Sequence, residues 1–573
     1  MQSILRFTVF VFFIFCVISC KQDAAQYNAN SEIKIRLAKD PQKLNPLTYP
    51  SSVSREVYQY ISLPLADFNP ESLELIPILI KNIPNPRVIT NGDNEGNIAY
   101  DFEFLEEATW ADGSPITAKD FLFTMKAVRA EEIESSAWRS YFKDLSEIQI
   151  DEKNPKKCTV IFSKPYMLAL EAIMTANLFP KYIYDPFGAT DGIDLTGKPL
   201  DTDVPLDSTF INNFNGIKHS REVVSGAGPY KLVDWEADQY VILERIENYW
   251  GKDSKNPYLQ ANAKTLLFKI VPDELTALSM LKSGQVDIFS GITSSNFENE
   301  KKKKDQNLSF FNPQLIRFYY LMLNNTDPIL ANLEVRKALA YCTPVDKMIT
   351  NFENGLGERQ AGIFHATKSY ADKDLPTLNY DLVKAKNILE EAGWKDSNNN
   401  GILDKNIDGK LTELELEIIQ SSSELGKKVS LMLKEEAKKI GIAIEVNIQT
   451  NAEIRKAVSS GAYQIYPGSV VQDPNDDDLY NRWHSEGPRN YLNYKNSEVD
   501  DLIEKNRVSL DRNERNPRYQ KLQELINKDQ PVIFLYSPKE RIIVSSKLKG
   551  SVSSRRPGYL ANTFKEVQVF SEN

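Results

Sequence analysis

The segment from 413 to 448 constrains the fold more than any other. Leu414, Leu416 and Ile418 alternate with Glu413, Glu415 and Glu417, the period of a half-buried strand. Residues Glu424–Ile440 follow in a helical pattern that Gly441 ends, and Ile442, Ile444, Val446 and Ile448 alternate again. A strand, a helix and a second strand in this order predict a parallel pair joined by a right-handed crossover. Elsewhere Thr117 and Asp120 have capping-box spacing, ahead of Phe121, Leu122, Met125 and Val128 on one helical face. A helix is predicted from Asp273, carrying Leu275, Leu278 and Leu281 and stopping at Gly284, with a strand at Val286–Phe289. Another runs from Asp381 to Gly393 and buries Leu382, Ala385, Ile388 and Leu389. Strands separated by helices predict an α/β fold rather than a β-sandwich.

The chain has 573 residues, too many for one core, so two or three lobes are expected. Lys and Arg total 69 against 79 Asp and Glu, a net charge of −10. An acidic body disfavours nucleic acid, which needs a basic stripe. The Lys301–Lys304 run reads as a solvated helix face or loop. Enzyme signals are poor. His219, His365 and His484 share no metal-ligand spacing, and neither a nucleophile elbow nor a phosphate-binding loop occurs. Carboxylate pairs discriminate nothing in a chain this acidic, so a glycosidase is only a remote alternative. No cofactor is expected. Cys158 and Cys342 are too few for a disulfide framework and are expected to be buried thiols.

The N-terminus reads as a secretion signal over 1–19. Arg6 supplies positive charge and Phe7–Ile18 is apolar but too short for a stable membrane span. Val17-Ile-Ser-Cys20 is similar to a bacterial lipobox, although Ile18 is larger than usual. Lipidation at Cys20 would leave a polar tether over 20–30, and two or more acyl chains would anchor it stably. The alternative is a plain cleavable signal with an incidental Cys. No later segment reaches the roughly 18 apolar residues of a membrane helix.

Ser225-Gly-Ala-Gly-Pro-Tyr-Lys-Leu-Val-Asp-Trp235 and Leu243-Glu-Arg-Ile-Glu-Asn-Tyr-Trp250 stand in order with five more motifs. These are Leu37–Pro46, Tyr100–Phe121, Pro272–Ile288 and the pair Leu333–Leu339 and Ala385–Trp394. Together they resemble the extracellular solute-binding proteins of family 5, the peptide-, oligosaccharide- and nickel-binding receptors of ABC importers. The resemblance implies a periplasmic-binding-protein type of fold, a three-lobed hinged two-domain clamp with mixed and parallel sheets. Lobe one is placed at 31–64, 225–297 and 535–573, lobe two at 65–224, and lobe three at 298–534, with hinges near 297 and 535. Gly226 and Gly228 are expected to permit unusual backbone angles. Trp110 and Trp250 are expected to be packing residues.

In peptide-binding members of the family, an aspartate four residues before an Asp/Glu-Pro pair holds the ligand's α-amine. Here the pair is Asp473-Pro474, and the counted position is Val470. A free amine there would lose its water and gain no partner. Tyr49, Ser51, Ser52, Tyr319, Tyr320, Tyr466, Gln472, Asp473 and Trp483 are the other candidate ligand residues. Asp396, Asn398, Asn400, Ile402 and Asp404 resemble a calcium loop without its closing Glu, so calcium binding is expected to be weak or absent. The leading expectation is a monomeric lipoprotein of the cell envelope, held in the periplasmic space. It would capture a peptide or peptide-like solute and work with ABC permease and ATPase subunits. Alternatives are a carrier of an oligosaccharide or metal chelate, and a ligand-sensing surface lipoprotein.

Overall fold

The computed structural model describes residues 28–49, 51–201 and 205–567. The leader expected over 1–19, Cys20 and most of the tether lie outside the described residues. Among the described residues no helix is long and apolar enough to cross a membrane.

Three large sheets organise the chain. The first has seven strands, in the order 308–311, 542–545, 288–290, 32–37, 265–270, 240–245 and 230–236. It is mixed: strand Glu32–Leu37 runs parallel to Thr265–Ile270, while Tyr240–Arg245 runs antiparallel to it. The second, antiparallel, has four strands in the order 86–88, 98–103, 157–162 and 145–150. The third has five, in the order 443–448, 415–420, 465–471, 317–323 and 532–534.

The predicted crossover unit is present. Strands Glu415–Gln420 and Ala443–Ile448 pair in parallel, and helix Glu424–Lys438 links them. Helix Ala118–Arg129 opens with the predicted capping box, in which the Thr117 N–H donates to Asp120 Oδ2 at 3.0 Å. Asp273 caps helix Glu274–Lys282 and Asp381 caps helix Leu382–Glu391. In the first of these Leu278 and Leu281 are buried, but Leu275 is 61% exposed. Leu275 sits in the first turn, where the helix is still open to solvent, and the strand that follows begins at Ile288. Cys158 and Cys342 are both buried and unpaired.

Two expectations are corrected. Strand Leu308–Phe311 pairs antiparallel with Ile542–Ser545 in the seven-stranded sheet. The first connection between the seven- and five-stranded sheets is therefore 312–316, rather than near 297. The return connection is 535–541, between strands Val532–Phe534 and Ile542–Ser545. Secondly, Gly226 and Gly228 are not among the residues with positive φ. They are glycine for space: a Cβ at either would collide with the Tyr60–Ile61 backbone. The Gly228 N–H donates to Ile61 O at 2.8 Å and the Tyr230 N–H to Tyr60 O at 3.1 Å. This close seam fixes the helix-bearing segment 52–62 against the seven-stranded sheet.

Candidate binding site

Where the three sheets meet, a cavity of about 400 Å³ opens. Its walls come from helix Ser52–Tyr58 and the chain to Phe68, from segments 137–141 and 168–177, from 315–317 and 471–475, and from 554–556. All three sheet regions contribute. A site built this way changes shape if the regions move relative to one another.

Local structure explains how the walls are held. Ser51 is the N-cap of its helix, its side chain accepting from the Ser54 N–H at 3.1 Å. Arg555 is buried and anchors the C-terminal wall. It pairs with Asp67 Oδ2 at 2.5 Å, donates to Phe68 O at 3.0 Å and contacts the Tyr258 hydroxyl. On the other side Gln472 Nε2 donates to Ile363 O at 3.0 Å, and its Oε1 accepts the His365 N–H at 2.8 Å. Lys368 donates to the main-chain oxygens of Asp473 and Asn475 and pairs with Asp477 at 3.1 Å. The loop 472–477 is thus set by buried polar contacts, as its irregular backbone requires.

Contacts also run between segment 166–171 and the five-stranded region. The Met167 N–H donates to Arg507 O at 2.8 Å, Tyr166 Oη donates to Asp478 Oδ2 at 3.1 Å, and Arg512 lies 3.4 Å from Glu171. Met167 and Leu168 pack into the same apolar cluster as Tyr519 and Leu522. Burial, with the nearby Asp476 charge, pushes the Glu171 carboxyl above its ordinary range.

The structure sorts the sequence candidates. Ser51, Ser52, Gln472 and Asp473 line the cavity. The Tyr49 hydroxyl instead donates to Gln42 at 2.8 Å. Tyr319 packs edge-on against Tyr536, Tyr320 packs beside Phe318, Tyr466 joins the apolar cluster under the five-stranded sheet, and Trp483 meets Tyr494. None of these five tyrosine and tryptophan side chains lines the cavity. Val470, paired with Phe318 in the strand, does not line it either; its neighbour Val471 does. The aromatic walls are Tyr58, Phe68, Trp138, Tyr141 and Tyr258, which sequence reasoning missed. Arg55, Arg317, Arg555 and Arg556 were missed as well; the Arg555-Arg556 doublet was the one available signal.

The calcium-like loop is internally satisfied. Asp404 accepts from the Ser397 N–H and Oγ at 2.9 and 2.8 Å, and Asp396 accepts from the backbone of Asn400 and Gly401 at 3.1 and 3.0 Å. Asn398 and Asn400 donate to Glu413. Ile402 uses its N–H to bond Asn400 Oδ1 at 2.8 Å. Among the described residues no group of three or more His, Cys, Asp or Glu is placed to hold a metal ion.

Comparison with known proteins identifies the architecture. The profile of the bacterial extracellular solute-binding proteins, family 5 Middle, matches residues 84–491. The chain is 26% identical over 463 residues to the oligopeptide-binding protein AppA of Bacillus subtilis, covering 80% of this chain and 78% of that one. It is 28% identical over 234 residues to the nickel-binding periplasmic protein of Escherichia coli, covering 40% and 42%. In structure it is similar to Bacillus subtilis AppA in complex with a nonapeptide, with a TM-score of 0.71, 21% identity and coverage of 95% and 100%. NikA from Brucella suis in complex with Fe(III)-EDTA gives a TM-score of 0.75 at 18% identity, with coverage of 94% and 100%. The fold is therefore that of the periplasmic binding proteins, and the chain belongs to the bacterial extracellular solute-binding proteins of family 5.

Proposed function

We propose that this chain is the substrate-binding lipoprotein of an ABC importer. It captures a peptide or peptide-like solute in the cavity between its lobes and delivers it to a permease. The supporting observation is the cavity itself: its walls come from all three sheet regions, and among the described residues two crossings, 312–316 and 535–541, join the seven- and five-stranded sheets. Those crossings act as the hinge, and the contacts of Met167, Tyr166 and Glu171 close the far side. A solute drives closure only through contacts it makes better in the closed state.

The relatives named for peptides support a peptide or peptide-like solute. The chain works by binding and release rather than by catalysis, as a monomer, with ATP hydrolysed by partner subunits. Cys20 carries the lipid that holds it at the envelope. Mass spectrometry of solute retained by the purified protein tests the first part. Recovery of short peptides is expected, and solute-free protein that binds no peptide would refute it. Cys20→Ala should release the protein from membranes; full membrane retention with an unmodified N-terminus would refute the anchor.

A further inference from the structure

We propose that the cavity selects an anionic solute, one presenting carboxylate groups to Arg55, Arg317 and Arg556. This rests on the solute-carrier reading above and specifies its ligand.

The charges lining the cavity do not cancel. Four arginines, Arg55, Arg317, Arg555 and Arg556, share it with Asp67, Glu171 and Asp473. Arg555 is spent on Asp67 at 2.5 Å. Glu171 is approached from outside the cavity by Arg512 at 3.4 Å. No ion pair within 4.0 Å engages Arg55, Arg317 or Arg556 among the described residues, so among the lining residues three guanidinium groups stand against one unpaired carboxylate, Asp473. Glu56 acts on Arg556 at longer range, but burial pushes that carboxyl up to about 7, so near neutrality it is only partly ionised.

Arg317 makes the case sharpest. Its Nε–H is buried without a hydrogen-bond partner, and its guanidinium stands 5.6 Å from the centre of the Tyr319 ring. The side chain as a whole is half-buried, and a guanidinium, unlike an ammonium, keeps its charge there. It needs an acceptor, and a carboxylate matches its fork with two parallel hydrogen bonds.

The placement also bears on closure. Arg55 and Arg556 belong to the wall fixed to the seven-stranded sheet, and Arg317 begins a strand of the five-stranded sheet. Like charges brought together by closure repel. A bound anion turns that repulsion into attraction on both sides, which is the differential contact that a closing solute must supply. The remainder of such a solute would meet Tyr58, Trp138 and Tyr141.

Carboxylates come from two sources, acidic peptides and polycarboxylate chelators, and the test separates them. The full-length protein in detergent is titrated calorimetrically with C-amidated, alanine-based tri- to hexapeptides bearing paired Asp, Asn or Lys, and with citrate and EDTA. The anionic probes of one or both sources should bind at least about tenfold tighter than the neutral ones, with a gap that narrows as salt rises. Arg317→Gln should remove most of that gap, and Arg317→Lys should recover only part of it. Arg556→Gln, away from the sheet, gives the same reading if Arg317→Gln fails to fold. Asn or Lys peptides binding as tightly as Asp peptides and chelators, or variants that weaken all probes alike, would overturn the anion selection and leave the carrier reading standing. No binding by any probe, together with no retained solute by mass spectrometry, would overturn both.

Discussion

Removing one partner of the Arg555–Asp67 pair should loosen the cavity's C-terminal wall. The two side chains are 9% and 14% exposed, with Nη2 and Oδ2 2.5 Å apart. Charge centres about 4 Å apart attract by about 4 kcal/mol at an effective dielectric near 20. Much of that is offset by desolvation, so the pair's net worth is small, but a lone survivor is costly: about 3–5 kcal/mol. Asp67→Asn should therefore destabilise more than the double variant Asp67→Leu/Arg555→Met, which leaves no charge behind. A chain of this size need not unfold in one step, so a local readout is preferable. Hydrogen exchange should show lost protection in strands Ala66–Phe68 and Leu75–Pro77, which lie beside Asp67. Unchanged protection in Asp67→Asn, or a double variant equal to the sum of the singles, would refute the reasoning.

Val471→Asp should weaken binding of acidic probes and introduce a preference for peptides with a free amine, whereas Val470→Asp should do neither; calorimetry with free and N-acetylated peptides checks both. Burial holds His365 down to about 4 from 6.5, and its ring contacts Ser537 and Thr367. The unfolded chain takes up that proton first, so stability present above pH 6.5 is lost as pH falls toward about 4, by up to about 3 kcal/mol. His365→Asn should remove that part of the acid sensitivity in melting curves. Glu56 titrates the opposite way: with its carboxyl raised to about 7, its protonated form suits the fold, and stability falls as pH rises from about 4.5 through 7. Glu56→Gln should melt above the parent at pH 8 and level with it at pH 4. Stripping metal on a chelating resin, which leaves no chelator in solution, should shift the melting point by no more than about 2 °C, because the Asp396–Asp404 oxygens already accept protein donors.

The elements were legible in the sequence wherever one periodicity ran uninterrupted between two stop signals, as from Leu414 to Ile448. The cavity was less so. Tyr319 and Tyr320 are consecutive in one strand, so they point to opposite faces and cannot both meet a ligand. Val470 and Val471 show the same parity problem: counting to a motif gave one, and the register of pairing with Arg317–Leu323 put the other at the cavity. Arg55 and Arg317 were invisible for a different reason. What marks them is the absence of a counter-ion, and a missing neighbour has no sequence pattern.

Strand Glu32–Leu37 lies in the interior of the seven-stranded sheet, between Thr265–Ile270 and Ile288–Ser290, with Ile542–Ser545 next beyond. The earliest strand of the described chain thus waits for partners more than two hundred residues later, and the sheet is complete only once residue 545 is available. Contacts this distant in sequence make folding slow. Until then the nascent chain shows unpaired strand edges, open to wrong partners and proteases. A chain cut anywhere before 542 should fail in its first sheet, however well the middle of the molecule has folded.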